Sequence, residues 1–228
     1  MRIILKISGE YLKGDNNISN SRLEKVLNNI KELKDDNELL IVVGGGNFWR
    51  GRNDLDIDDN VSDYLGMLGT SMNALAISSY LNNKGIDSTC YNSFLIENII
   101  SKEDFDKVLA DLNNKKIVVF GGGLGYGGIT TDMTTITLAE RYNSDLILMA
   151  KNIDGIYDKD PKEDGAQKLN TVTVERLCQI LNNNYTLFDK AFIDKLKEYK
   201  IEVYVYHAEK VESIKEVIDG KSGTKITC

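Results

Sequence analysis

The chain has 228 residues, 42% of them hydrophobic and 28% charged; this is enough to build a sizeable core and close to the soluble globular average, which excludes a disordered reading. A net charge of -7 sets nucleic acid and anionic membranes against its overall field, although local cations and backbone N–H groups can still hold a small anion. Three cysteines, Cys90, Cys178 and Cys228, lie far apart without a C-x-x-C pair, which argues against a disulfide framework or a zinc site and for a reducing cytoplasm.

The opening run Ile3–Ile7 is apolar throughout and predicts a buried strand. The residues before it turn polar too early for a signal peptide, and no segment has the length and apolarity of a membrane span. Leu23, Val26, Leu27, Ile30 and Leu33 recur at helical spacing, and Leu39–Val43 predicts a second buried strand that ends in Gly44-Gly45-Gly46-Asn47. A long helix is expected from about Val61 to Leu81, a strand over Ile86–Tyr91, and a helix over Lys102–Leu112. Ile117–Phe120 predicts a strand running into glycines, Thr131–Tyr142 a helix, and Leu146–Ala150 a strand. Two helices are then expected near Val172–Leu181 and Thr186–Tyr199, with the asparagines at 182–184 between them. A strand over Ile201–Tyr206, a helix over Val211–Ile218 and a strand over Thr224–Thr227 complete the order. Continuous apolar strands separated by helices predict an α/β fold, a three-layer αβα sandwich around a central, mostly parallel sheet. Ligands in such sheets bind beyond the carboxyl ends of the strands, where the glycine clusters fall.

Four segments carry candidate chemistry. Lys6-Ile7-Ser8-Gly9 closes the first strand and offers a cation beside a sharp turn; the plain alternative is a solvated lysine. Gly44-Gly45-Gly46-Asn47 with Arg50-Gly51-Arg52 lets backbone approach a phosphate, with a helix start expected behind it and Arg50 as a bidentate clamp; the alternative is a tight turn with surface arginines. Gly121–Gly128 contains a G-x-G-x-x-G match from Gly123 to Gly128, the dinucleotide fingerprint. That fingerprint opens a domain and places an acidic residue at the end of its second strand. Here the match is mid-chain and Asp145 begins a strand, which leaves a nicotinamide site as a minor reading. Thr130, Thr131 and Asp132 at a helix start suit a phosphate site instead, unless Asp132 is only a helix N-terminal charge. The fourth segment, Lys151–Tyr157 followed by Asp158-Lys159-Asp160-Pro161, is a turn-rich surface loop or a nucleoside site built on Lys151 and Tyr157. The single histidine, His207, has no nucleophile motif beside it, and no Walker loop or protein-kinase motif occurs.

Taken together, Lys6–Glu10, Val42–Gly51, Asp63–Thr70 with Met72–Leu75, Thr130–Asp132, Met149–Tyr157, Asp160-Pro161, Phe188-Asp189 and Gly223-Thr224 resemble the amino acid kinase superfamily. Within it they are most similar to the bacterial-type UMP kinases. The resemblance implies one domain over residues 1–228, with an acceptor part at roughly 1–145 and an ATP part at roughly 146–228. It further implies Mg²⁺ with ATP as donor, UMP as acceptor, no nucleic-acid or membrane partner, and a homohexamer. By position, Lys6, Ile7, Ser8, Gly9, Gly46, Arg50, Lys151, Tyr157 and Asp160 are implied to bind ATP. Gly45, Asp63 and the stretch Leu124, Gly125, Tyr126, Gly127, Gly128, Ile129, Thr130 and Thr131 are implied to bind UMP. Lys6, Arg50, Asp132 and Asp189 are implied to serve catalysis, the aspartates by organising the lysines or the metal, with Mg²⁺ held mainly by ATP phosphates. Members usually show G-T-G-N-P-[FY]-F before T-T-D. The stretch Gly123–Ile129 departs from that pattern, so CMP is a second acceptor to test. Gly14–Ser19 looks shorter than the loop linked to GTP activation in many members. Another small acceptor of the same superfamily, or a non-catalytic nucleotide- or oxyanion-storage role on this fold, are the competing readings.

Overall fold

The computed structural model describes residues 1–51, 56–181 and 187–228. Arg52, the asparagines at 182–184 and the expected helix start at Thr186 lie outside the described residues. In chain order the elements are β1 (Arg2–Ile7), α1 (Gly9–Leu12), α2 (Asn20–Leu33), β2 (Glu38–Val43), α3 (Asp59–Asn83), β3 (Ser88–Asn92), β4 (Ser101–Lys102), α4 (Phe105–Asn113) and β5 (Ile117–Gly121). There follow α5 (Thr131–Arg141), β6 (Leu146–Lys151), β7 (Ile156–Tyr157), β8 (Lys168–Leu169), β9 (Thr171–Thr173), α6 (Val174–Leu181), α7 (Lys190–Tyr199), β10 (Glu202–His207), α8 (Ile214–Ile218) and β11 (Thr224–Thr227).

Nine strands form one sheet in the order β4-β3-β5-β2-β1-β6-β10-β11-β9. The pairs from β4 to β10 are parallel, and β11 turns antiparallel against β10. Strand alternation divides the apolar residues between two cores. Ile4, Leu40, Val42, Val118, Phe120, Ile147 and Met149 face α4, α5, α6 and α7. Ile3, Leu5, Ile7, Leu39, Ile41, Val43 and Leu148 face α2, α3 and α8. The layers are therefore helix, sheet, helix, as the apolar runs predict.

The differences from the sequence expectation are local. Lys102 belongs to β4 and pairs with Asn92, because α4 begins only after Asp104, whose carboxylate accepts the Lys107 N–H and caps the helix. Val172 lies in β9 rather than in a helix, paired with Ile226 of β11. Helix α8 starts at Ile214 because Ser213 caps it, not at Val211. The first turn of α7 is capped by Asp189.

β1 is flanked by β2 on one side and β6 on the other, so the chain's progress across the sheet reverses there. This switch of direction opens a crevice beyond the carboxyl ends of β1, β2, β5 and β6.

Candidate active site

The two lysines at this crevice are placed by parity. Lys6 follows Ile4 by two residues and Lys151 follows Met149 by two, so both emerge on the face covered by α5 and α7. Asp132, in the first turn of α5, meets both: its Oδ1 lies 2.9 Å from Lys6 Nζ and its Oδ2 lies 2.6 Å from Lys151 Nζ. The three side chains are only 9%, 12% and 13% exposed for Lys6, Lys151 and Asp132 respectively. Burial by itself would raise the Asp132 carboxyl, but Lys6 and Lys151 together hold it below its ordinary value of 3.8. Burial lowers the Lys151 ammonium below its ordinary 10.5, with Lys6 adding to the effect and Asp132 opposing it. The expected choice between a mere helix N-terminal charge and an organiser of lysines is thus resolved for Asp132 by contact.

The turn at Ser8-Gly9 packs on the glycine loop after β2. A Cβ on Gly9 would stand 2.5 Å from the Gly44 carbonyl oxygen and 2.7 Å from the Gly46 nitrogen. One on Gly45 would stand 2.5 Å from the Gly66 carbonyl oxygen of α3. The loop does not lead into a helix, as the sequence suggested. The Phe48 and Trp49 N–H groups turn back onto the Gly45 carbonyl, and α3 begins only at Asp59. Its anchor is a buried amide pair that sequence reasoning missed. Asn73 Nδ2 donates to the Gly44 carbonyl and to Asn47 Oδ1, each at 2.7 Å, and Asn47 Nδ2 donates to Asn73 Oδ1 at 2.9 Å. Two buried asparagines spaced 26 residues apart, one in the glycine loop and one in a helix, carry no local signal.

Beside the lysine cluster is a cavity of about 250 Å³ between α3 and the glycine stretch after β5. Asp63, Gly66, Met67 and Thr70 line it from α3, Tyr126–Thr131 from the opposite side, and Trp49 closes one end. Asp63 Oδ2 accepts the Gly128 N–H at 2.6 Å and so ties the loop over the cavity. Thr70 Oγ1 accepts the Gly122 N–H at 2.7 Å and sets the base of the same loop. Positive φ values at Gly122, Gly123, Gly125 and Gly128 explain the density of glycine there. Thr130 caps α5 through the Met133 N–H at 3.1 Å and donates to Asp189 Oδ2 at 2.5 Å. Asp189 thus ties the loop before α5 to the start of α7, and its charge also acts on Lys151. Trp49, held by an indole N–H bond of 3.0 Å to Ser62 Oγ, is an aromatic wall that sequence reasoning did not assign; the chain's single tryptophan beside a glycine loop was the available signal.

Several expected site residues fall elsewhere. Leu124 turns into a separate recess with Ser93, Phe105 and Arg141, and Gly125 backs onto Ser93. Arg50 is 65% exposed and ion-paired with Glu10. With Gly46 it borders a third recess of about 450 Å³, shared with Lys13, Asn152 and His207 at the ends of β6 and β10. Tyr157 stands on the β7–β8 hairpin and donates to Asp154 Oδ1 at 3.0 Å, while Asp160 Oδ1 accepts the Lys162 N–H at 2.9 Å within its own turn. Ile7 is buried in the α2–α3 core, so it reaches this crevice only through its backbone.

A buried carboxylate shared by two cations, a backbone loop free of side chains, and a cavity with hydroxyls at a helix N-terminus form an arrangement that holds anions and offsets charge developing between them. The chain belongs to the amino acid kinase family, whose model matches residues 1–207. The uridylate kinase of Mycoplasmopsis pulmonis (strain UAB CTIP) is 37% identical to it over 229 residues, covering 96% of this chain and 93% of that protein. The uridylate kinase of Mesoplasma florum is 35% identical over 224 residues, covering 96% and 93% of the respective chains. Among solved structures, the UMP kinase from Ureaplasma parvum superposes with a TM-score of 0.91 at 28% identity, covering 100% of this chain and 98% of that one. The UMP kinase from Bacillus anthracis superposes equally well, with a TM-score of 0.91 at 29% identity, covering 99% and 95%.

Proposed function

We propose that this chain is a UMP kinase, transferring the γ-phosphoryl group of Mg-ATP to UMP to give UDP and ADP in pyrimidine nucleotide synthesis. The observation that carries this reading is the cavity under Tyr126–Thr131 beside the Lys6–Asp132–Lys151 cluster, in a chain whose relatives are named uridylate kinases. UMP occupies that cavity, with Asp63 and Trp49 at its walls and Thr130 and Thr131 at its α5 end. The backbone of Ile7, Ser8, Gly9, Gly45 and Gly46 borders the phosphates where the two substrates meet. ATP enters from the β6–β10 side, past Arg50, Lys151, Tyr157 and Asp160. The acceptor half is roughly residues 1–145 and the ATP half roughly 146–228.

An ionised UMP phosphate oxygen forms the new bond to the γ-phosphorus in line with cleavage of the bond to the bridging oxygen, and ADP leaves with that electron pair. The acceptor oxygen is already deprotonated near neutral pH, so no side chain needs to act as a general base. The protein contributes alignment and charge: Lys6 faces the transferring group, and Asp132 fixes where Lys6 points. Mg²⁺ would be held mainly by the ATP phosphates and would offset charge on the transferring group.

The deciding experiment follows ADP formation from Mg-ATP with UMP, CMP, dUMP, GMP, AMP, glutamate and aspartate offered separately. Turnover strongly favouring UMP establishes the reading. Turnover shared with CMP keeps the class and assigns a relaxed base pocket to Gly123–Ile129. ATP binding without turnover on any nucleotide overturns it. Asp63→Ala, which also releases the Gly128 N–H, is expected to raise the KM for UMP by about tenfold or more, the scale of one lost charge-assisted hydrogen bond. The KM for ATP is expected to change little in the same assay.

The reading extends to assembly and compartment. Along α3, Leu68, Met72 and Leu75 are 43%, 46% and 38% exposed and border an apolar groove with Ile96 and Ile99. An apolar stripe on the outer side of a helix already buried on its inner side supports a homo-oligomer, a hexamer by family resemblance. Met72→Glu is expected to shift the light-scattering mass toward a smaller species; an unchanged mass excludes this face from the assembly. Three free cysteines, and the absence of a membrane-length apolar helix among the described residues, support a cytoplasmic enzyme.

A further inference from the structure

The ammonium of Lys151 is held on three sides. Its Nζ lies 2.6 Å from Asp132 Oδ2, 2.8 Å from the Leu187 carbonyl oxygen, and over the face of Phe188 at 4.2 Å from the ring centroid. A lysine has three N–H donors and no acceptor; here two go to oxygens and the ring closes one side of the ammonium. Lys6 is different: among the described residues its Nζ meets a single carboxylate oxygen, Asp132 Oδ1 at 2.9 Å. The two lysines that share Asp132 are therefore held differently, Lys6 by the carboxylate alone and Lys151 by the carboxylate, a carbonyl and a ring.

The ring over Lys151 is itself fixed. Phe188 is 6% exposed and stacks on Phe192 of α7, with centroids 4.7 Å apart and planes 14° from parallel. The next residue, Asp189, takes the Phe192 N–H on Oδ1 at 2.7 Å and the Thr130 hydroxyl on Oδ2. The aromatic face is thus locked at the start of a helix packed in the core. A buried ammonium with one shared carboxylate is short of compensating negative charge, and the electron-rich ring face supplies some of it.

We infer that Phe188 is a positioning residue for phosphoryl transfer, its ring keeping Lys151 seated on Asp132 so that Lys6 is correctly aimed. This rests on the UMP kinase reading for its kinetic consequence, but the clamp can be detected without turnover.

The test uses the full chain with lysines labelled at Cε, together with Phe188→Leu, Phe188→Tyr, Lys151→Met and the Phe188→Leu/Lys151→Met double variant. In the NMR spectrum of the wild-type protein, the Lys151 Hε protons are expected to be shifted upfield by the ring and to return toward the ordinary lysine position in Phe188→Leu. Absence of that shift in the folded wild-type protein overturns the clamp, whatever the acceptor. With Mg-ATP and UMP, Phe188→Leu is expected to lower kcat about tenfold, in the range of a lost cation–π contact at a desolvated site, with both KM values within about twofold. Phe188→Tyr, which keeps the ring, is expected to retain most of kcat. In the Lys151→Met background Phe188→Leu is expected to cost nothing further. An equal proportional loss in both backgrounds, or a kcat for Phe188→Leu within twofold of wild type, assigns Phe188 to packing only and overturns the inference. If Phe188→Leu does not fold by near-ultraviolet circular dichroism, Phe188→Met takes its place in every comparison. A wild-type protein with the upfield shift but no turnover on UMP refutes the UMP kinase reading while leaving the clamp standing.

Discussion

Replacing Lys6 by Ala is expected to lower kcat by about 10²–10³, the loss seen when one preorganised group facing transition-state charge is removed. Both KM values should move by less than about threefold, because on the proposed reading the ground-state nucleotides keep their glycine-loop and cavity contacts. What separates this from general damage is the sign of the stability effect. Lys6 and Lys151 share Asp132, and both are largely buried. Deleting one cation leaves an Asp132–Lys151 pair, so no buried charge is stranded. The melting temperature should therefore stay close to that of the wild-type protein while turnover collapses. Steady-state kinetics and a thermal melt on the same preparation check both halves. Near-normal turnover would remove Lys6 from the reaction.

Gly9→Ala is expected to produce a large structural effect for a single methyl group. The added carbon would lie 2.5 Å from the Gly44 oxygen, 2.6 Å from Asn47 Oδ1 and 2.7 Å from the Gly46 nitrogen. Two of these neighbours are backbone and the third is locked in the Asn47–Asn73 amide pair, so none can swing aside as the end of a flexible side chain would. Overpacking of this kind costs about 1–3 kcal/mol, which for a chain of this size lowers the melting temperature by roughly 2–12 °C. On the proposed reading ATP binding should suffer with it: the turn at Ser8–Gly9 can relieve the clash only by retreating from the Gly44–Gly46 loop, which separates the two backbone segments assigned above to the phosphates. A rise in KM for ATP together with a lower melting temperature is the expected pair of results. A variant with unchanged melting temperature would show that the glycine loop is looser than its contacts imply.

The central strands were legible because they are buried on both faces, and burial on both faces leaves a continuous apolar run in the sequence. Helices α2 and α5 were legible from their spacing, and α3 from its length. The misses share a cause. β4, β7, β8 and β9 are strands of two or three residues. They exist because a neighbour lies alongside, so Lys102 and Val172 looked like parts of the helices next to them. The site divides in the same way. Glycines announce themselves, since left-handed backbone at Gly122, Gly123 and Gly125 excludes most other residues. Partnerships do not. Asp132 as an organiser of lysines came only from the family resemblance, and that Asp189 would turn to Thr130, or that Arg50 would pair with Glu10, depends on which segments the fold brings together. Leu124 was included with the stretch through Thr131 by positional resemblance to the family; with a left-handed glycine on either side of it, Gly123 and Gly125, it lines a separate recess.

The place of β1 in the sheet bears on how the molecule comes into being. Its residues pair in register with β2 on one edge, Ile3 with Leu39, and with β6 on the other, Ile3 with Leu146. The first partner follows closely along the chain; the second does not exist until most of the chain has been made. At ribosomal rates of about 5–20 residues per second, the first strand waits on the order of ten seconds with one edge open. During that time α2 and β2 can form a local βαβ unit, but the crevice that holds Lys6 cannot close. Parallel pairing over such separations is slow even in a finished chain, because loop-closure entropy is lost before contacts repay it. Refolding should accordingly be limited by the arrival of β6 at β1, and Lys6 and Lys151 should be among the last parts of the protein to find each other.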